Sequence, residues 1–170
     1  AGTSSFITSA NNATIALNTT TNAFTGAVTI TTNDNSGTDA DVTIDGGTTA
    51  LVLAASTIDG DLMLRSGHAS GITDSGTVTV GGDFAAITDA NNGVINMGTL
   101  AVDGVIALVT NGSGNATVVN DAGLNFAAST VGGALNATAT TGNMTDSGAL
   151  TIAGTSSFTT SANNATIALN

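Results

Sequence analysis

Short runs in which apolar and polar residues alternate recur from one end of the chain to the other. They begin with ATIALN at 13–18, AVTITT at 27–32, DVTID at 41–45, TALVLA at 49–54, DLMLRS at 61–66 and GTVTV at 76–80. They continue with GVINM at 93–97, GVIALVT at 104–110, NATVV at 115–119, GLNFA at 123–127, GALNATA at 133–139 and ALTI at 149–152. Alternation with a period of two predicts strands with one buried face. The inward pairs it predicts include Val28 with Ile30, Val42 with Ile44, Leu51 with Leu53, Leu62 with Leu64, Val78 with Val80, Ile106 with Leu108, and Leu124 with Phe126. Gly, Asn, Asp and Ser fill the gaps, as in NDNSGTD, DGG and NGSGN, and these residues reach left-handed backbone conformations cheaply.

Short strands of this kind suit either a sandwich or a coil of stacked rungs, and a long repeat decides between them. AGTSSFITSANNATIALN (1–18) returns as AGTSSFTTSANNATIALN (153–170), with only Ile7 against Thr159 differing, at an offset of 152 residues. Inside that period ITDSGTVTVGG (72–82) matches MTDSGALTIAG (144–154), and LVLAASTIDGDL (51–62) matches LNFAASTVGGAL (124–135), at offsets of 72 and 73. The chain therefore reads as one solenoid segment, 1–170. It holds one 152-residue repeat (1–152, with halves near 1–80 and 81–152) and the start of the next (153–170). A sandwich has no reason to recur in this way, whereas a parallel β-helix stacks like on like. At roughly 20 residues per coil, typical of solenoids, one period makes about seven or eight coils. The fold class predicted is all-β, a parallel β-helix (β-solenoid) in a tandem repeat array.

Composition supports strands and narrows the chemistry. All 12 acidic residues are Asp, Arg65 is the one basic residue, and Glu, Lys, Pro, Cys, Trp and Tyr are missing. Thr, Val, Ile, Asn and Gly in place of helix-forming charged residues favour strands joined by tight turns. A net charge of −11 argues against nucleic acid as a partner, since phosphate contacts need clustered Lys and Arg. No apolar run approaches the roughly 20 residues of a membrane-spanning helix, so no membrane insertion is expected.

The strings LTIAGTSSFTTSANNATIALN, NAFTGAVTITT, LAASTIDGDL, ASTVGGAL and ITDSGTVTV resemble the haemagglutinin-type repeats of very large secreted bacterial exoproteins, filamentous haemagglutinin-like adhesins and surface filaments among them. The resemblance covers nearly the whole chain. It implies a right-handed parallel β-helix serving as the extracellular shaft of a filament or giant surface protein, for extension, display or cell adhesion. The repeat itself points to partners: identical repeats stacked end to end, as a homopolymer or within one long chain, with lateral filament contacts besides.

Candidate chemistry is sparse. One His, one Arg and no Cys, Lys or Tyr leave little from which to assemble an acid–base pair or a nucleophile, so no catalytic residue is expected. The one mixed group is Arg65 with Asp59, Asp61 and His68. An enzyme on this scaffold would need a groove that sets Arg65 beside two or more carboxylates. NDNSGTDADVTID gathers Asp34, Asp39, Asp41 and Asp45, hard oxygen ligands next to a Gly, as a Ca²⁺ site requires; a solvated acidic turn is the other reading. Carboxylates on neighbouring coils would invite divalent cations in the same way. Thr29, Thr31, Thr32, Thr77 and Thr79 are expected to point outward, and Thr arrays of this kind offer a ligand-binding alternative, a face that grips glycan or ice. The pairs Asn11/Asn12, Asn91/Asn92 and Asn163/Asn164 are read either as ladders between coils or as turn residues.

Overall fold

The computed structural model describes residues 2–33 and 39–170, and among these it contains twenty strands and no helix. The strands wind into eight coils. Coil 1 holds β1 (Ser4–Asn11) and β2 (Ile15–Leu17), and coil 2 holds β3 (Val28–Asn33) and β4 (Val42–Asp45). Coil 3 holds β5 (Leu51–Leu53), β6 (Ser56–Ile58) and β7 (Leu62–Ser66), and coil 4 holds β8 (Ile72–Asp74), β9 (Val78–Val80) and β10 (Phe84–Asn91). Coil 5 holds β11 (Ile95–Val102) and β12 (Ile106–Asn111), and coil 6 holds β13 (Ala116–Asn120), β14 (Leu124–Phe126) and β15 (Ser129–Val131). Coil 7 holds β16 (Leu135–Ala139), β17 (Met144–Asp146) and β18 (Leu150–Ile152), and coil 8 holds β19 (Ser156–Thr160) and β20 (Ile167–Ala168).

Each strand pairs in parallel with the equivalent strand of the next coil, giving two ten-stranded sheets that face each other across the core. Sheet A opens each coil and sheet B closes it. The sequence advance per coil runs from 19 residues (Ala116 to Leu135) to 27 (Ile15 to Val42), so loops absorb the variation while the strands keep register.

The core lies between the sheets and follows the alternation read from the sequence. Val28, Ile30, Val42, Ile44, Leu51, Leu53, Leu62, Leu64, Val78, Val80, Ile106, Leu108, Leu124 and Phe126 are all buried. Leu17, Leu150 and Ile152, also inward, are only partly buried, because their coils lie near an end of the described stack. Of the five Phe, Phe84 and Phe126 are fully buried, while Phe6 packs edge-on against Phe24 and Phe158 edge-on against Phe126.

The two halves of the repeat are related by a half turn about the axis. Each strand of the first nine has its sequence counterpart nine strands later, on the opposite sheet: β5 and β6 lie in sheet A, their counterparts β14 and β15 in sheet B. Two such steps return to the same sheet, so β1 and β19 both lie in sheet A, seven coils apart. Side-chain bonds recur with the backbone. Ser56 Oγ accepts from Ile30 N and donates to Ala54 O, and Ser129 Oγ accepts from Leu108 N and donates to Ala127 O. Thr32 Oγ1 accepts from Asp59 N as Thr110 Oγ1 does from Gly132 N. The AAST motif thus marks the place where a Ser hydroxyl stands in for the ladder and divides one strand into two.

Thr32 corrects an expectation: it is buried rather than outward, because its hydroxyl is needed at that inter-coil bond. Within the Asn pairs the two readings divide between the two members. Asn12, Asn92 and Asn164 take φ of 58°, 63° and 62°, the left-handed turn conformation that Asn tolerates. Asn11 and Asn91 instead lie in register with Asn33 and Asn111 of the following coil, and Asn11 Oδ1 accepts from Asn33 Nδ2 at 2.8 Å. Gly71, with φ +62° and a space in which a Cβ would meet Val94 O at 1.7 Å, shows why the turns need glycine where coils approach closely.

Candidate functional site

The described members of the acidic quartet are held apart along the approach to β4 and the strand itself. Asp41 lies just before β4 and Asp45 at its end, about 13 Å along an extended strand. Asp41 is exposed and its Oδ1 accepts from Asp61 N at 2.9 Å, whereas Asp45 is buried and its Oδ1 accepts from Gly47 N at 2.7 Å. Asp39 is exposed beside Asp41, and Asp34 lies outside the described residues. Among the described residues no three His or Asp side chains gather as a metal ion would require.

The fold sorts the acids by edge. Where the chain passes from sheet A to sheet B, successive coils present Asp39 and Asp41, Asp59 and Asp61, Asp83, Asp103 and Asp121. The opposite edge, from sheet B to sheet A, is built mainly from Gly, Asn, Ser, Thr and Ala, with no carboxylate among its described loop residues. Along the acidic edge three carboxylates cap the coil that follows: Asp41 Oδ1 accepts from Asp61 N, Asp61 Oδ1 from Asp83 N at 2.7 Å, and Asp83 Oδ1 from Val105 N at 2.9 Å. Asp59 is buried behind this row, and its Oδ2 has no hydrogen-bond partner among the described residues.

The mixed group of Arg65, Asp59, Asp61 and His68 is dispersed. Asp59 and Asp61 belong to the acidic edge, His68 is an exposed turn residue whose Nδ1 accepts from Ser70 N, and Arg65 points outward from the middle of β7. A groove of ≈ 460 Å³ on sheet B does set Arg65 beside two carboxylates, Asp45 and Asp89, with Thr43 and Met63 in its wall. Arg65 Nε donates to Asp89 Oδ2 at 2.5 Å and Nη2 to Asp89 Oδ1 at 2.8 Å. That hydrogen bond first, and the charge of Asp89 second, raise the pKa of the guanidinium above its ordinary value. The fork occupies both oxygens of Asp89, and Asp45 is tied to the Gly47 amide, so the groove holds no carboxylate pair poised to pass a proton. Arg65 and Asp89 are each about half exposed, so the pair adds little stability. Asp89 was invisible to a search by proximity in sequence; it comes to Arg65 only through the register of β10 on β7.

On the outer side of sheet A, Thr31, Thr57 and Thr79 stack on three successive coils before Ala101 ends the column. One buried polar residue escaped the sequence reading altogether. Asn120 accepts from Val102 N at 2.8 Å and donates to Val102 O at 3.0 Å and Gly123 O at 2.7 Å, clamping a corner between coils. Its only sequence signal is a polar residue at an inward position of an alternating run.

Residues 39–99 and 113–170 each match the model of a family described as "Repeats of unknown function" (DUF5649). The matches begin at counterpart points, just before β4 and just before β13. No curated protein and no solved structure matches the chain.

Proposed function

The chain belongs to the DUF5649 family of repeats of unknown function, and from that premise we propose that it is a structural segment of an extracellular filament or giant surface protein. It works as a rigid, protease-resistant shaft that extends and displays what it carries. One observation carries this reading: after seven coils the same residues return to the same sheet, β1 to β19 and β2 to β20, so copies stack without changing the cross-section. The mechanism is covering of ends. A terminal coil leaves ladder groups and core side chains partly open, and the next repeat covers both. The likeness to haemagglutinin-type exoprotein repeats supports the extracellular setting. The engaged carboxylates around Arg65 support a non-catalytic role.

The test is length. Arrays of one, two and three repeats, imaged or measured by small-angle scattering, are expected to keep one diameter and to lengthen by about 34 Å per repeat, seven strand spacings of about 4.8 Å. Compact particles that thicken as repeats are added would overturn the shaft, and saturable glycan binding by the isolated chain would replace it with an adhesive surface.

A further inference from the structure

On the outer side of sheet B, coils 3 to 5 carry an apolar patch that the half-turn relation does not require. β7, β10 and β12 pair in register, which stacks Met63, Ala85 and Ala107 in one outward column and Arg65, Ile87 and Val109 in the next. Met63 is 45% and Val109 38% exposed. The counterpart positions on sheet A are Asn136 and Thr138 in β16 and Ser157 and Thr159 in β19, which pair in register, and Thr29 and Thr31 in β3, all polar; Thr31 is in register with Ile7 of β1, the one apolar counterpart of Ile87. The same backbone thus folds with a polar outer face, so folding does not explain the patch. Exposed contiguous apolar surface of this kind marks interaction sites.

Two features say what covers it. The first is shape: within each of coils 4 and 5 a small residue stands two positions before a branched one, Ala85 before Ile87 and Ala107 before Val109. A two-fold axis parallel to the rod sets each branched side chain of one copy over the alanine of the other, and Arg65 over Met63, so the patch is complementary to itself. The second is charge. A chain with net −11 repels its copies, and that same axis turns the two acidic edges to opposite sides of the pair, whereas an antiparallel arrangement lays them alongside each other.

We propose that sheet B of coils 3 to 5 is a lateral docking face for a second copy of this chain, packed parallel to the first. Three strands about 4.8 Å apart make a contact well short of the roughly 800 Å² per partner of a stable interface, so two single chains pair weakly. In an array the patch returns on the same side every seven coils, and the contacts add along the rods. That reinforcement rests on the shaft reading; the pairing of single chains does not.

The natural chain has no Cys, which makes the test direct. Ala85→Cys and Ile87→Cys chains are mixed and oxidised. The expected product is the mixed disulfide dimer, at about tenfold or more over either self-dimer and over a control mixture of Thr29→Cys and Thr31→Cys on sheet A. Adding Ile87→Lys to the Ala85→Cys chain, with Ile87→Cys as its partner, should abolish that product, while circular dichroism shows the fold intact. Predominant Ile87→Cys self-dimers would show antiparallel packing, and a yield equal to the sheet A control would show no docking; either overturns the proposal. Both outcomes leave the length test of the shaft unaffected, and failure of the length test leaves this one standing.

Discussion

The described residues of 1–80 and those of 81–152 follow the same path half a turn apart, and they differ in what they place outside. Inside, counterpart positions agree in kind: Leu53 and Phe126 fill the core from opposite sheets, and Ser56 and Ser129 make the same two bonds at distances within 0.1 Å. Outside, Asp39, Asp41 and Asp61 correspond to Ser113, Asn115 and Ala134, and the acid row of one edge has no charged equivalent among the described loop residues of the other. The core packs at near-crystalline density and permits little change, whereas an outward side chain on a solenoid meets water and is free to diverge. The difference teaches where to look for function, on outer faces where counterparts disagree.

The largest effect should come from emptying a core position. Phe126→Ala, at a fully buried ring packed against Phe158, is expected to cost about 3–5 kcal/mol in denaturant unfolding. Phe126→Leu, which installs the counterpart residue, should cost less than half of that. Equal losses would mean that counterpart sites are not interchangeable and that the half-turn relation is only topological.

Next is the clamp without a counterpart. Asn120→Ala removes all three bonds at a buried corner, leaving Val102 N and two carbonyls without the partner they have, a loss of about 2–4 kcal/mol by the same measurement. Loss of hydrogen-exchange protection should be confined to the corner between β11 and β14. If the change is silent, the corner is held by backbone packing alone.

Ser56→Ala and Ser129→Ala sharpen the comparison most directly. Each strands one buried amide, Ile30 N or Leu108 N, and each is expected to cost about 1–2 kcal/mol. Values that agree to within about 0.5 kcal/mol, and that add in the double variant as distant sites do, would establish energetic equivalence of the halves. A twofold disparity would break it.

These sites also mark the limits of what the sequence makes legible. The alternation in AVTITT or DLMLRS follows from the strand period alone, so the buried faces of β3 and β7 could be read directly. The repeat of residues 1–18 at 153–170 made stacking readable too, because identical strings can occupy identical environments only along an axis. What could not be read is whatever depends on register between coils. Arg65 meets Asp89, and Met63, Ala85 and Ala107 line up, through pairings that span about 22 residues and vary with loop length. Thr32 was misplaced for the same reason: the alternation continues through it, and its outward-seeming polarity is answered by an amide one coil away. The swap of sheets between halves was equally hidden, since an offset of 72 residues does not say how many half turns it spans.

The smallest effect tests the acidic edge against its uncharged counterpart. Asp41, Asp61 and Asp83 stack at a strand spacing of about 4.8 Å, where like charges repel by about 0.9 kcal/mol in water and by less once salt screens them. Asp61→Asn keeps an oxygen to accept from Asp83 N while removing the central charge, so it should stabilise the chain by less than about 1 kcal/mol at low salt. Ala134→Asp, the mirror change at the counterpart site, puts a lone carboxylate on an edge that has no other among its described loop residues, and should leave stability unchanged within about 0.5 kcal/mol. Repeating both in high salt separates the causes. If the Asp61→Asn gain fades there, it came from stacked charge. If instead the variant is destabilised at every salt concentration, the carboxylate is worth more as a cap on the next coil than it costs as a neighbour, and the acidic edge is part of the scaffold rather than a burden on it.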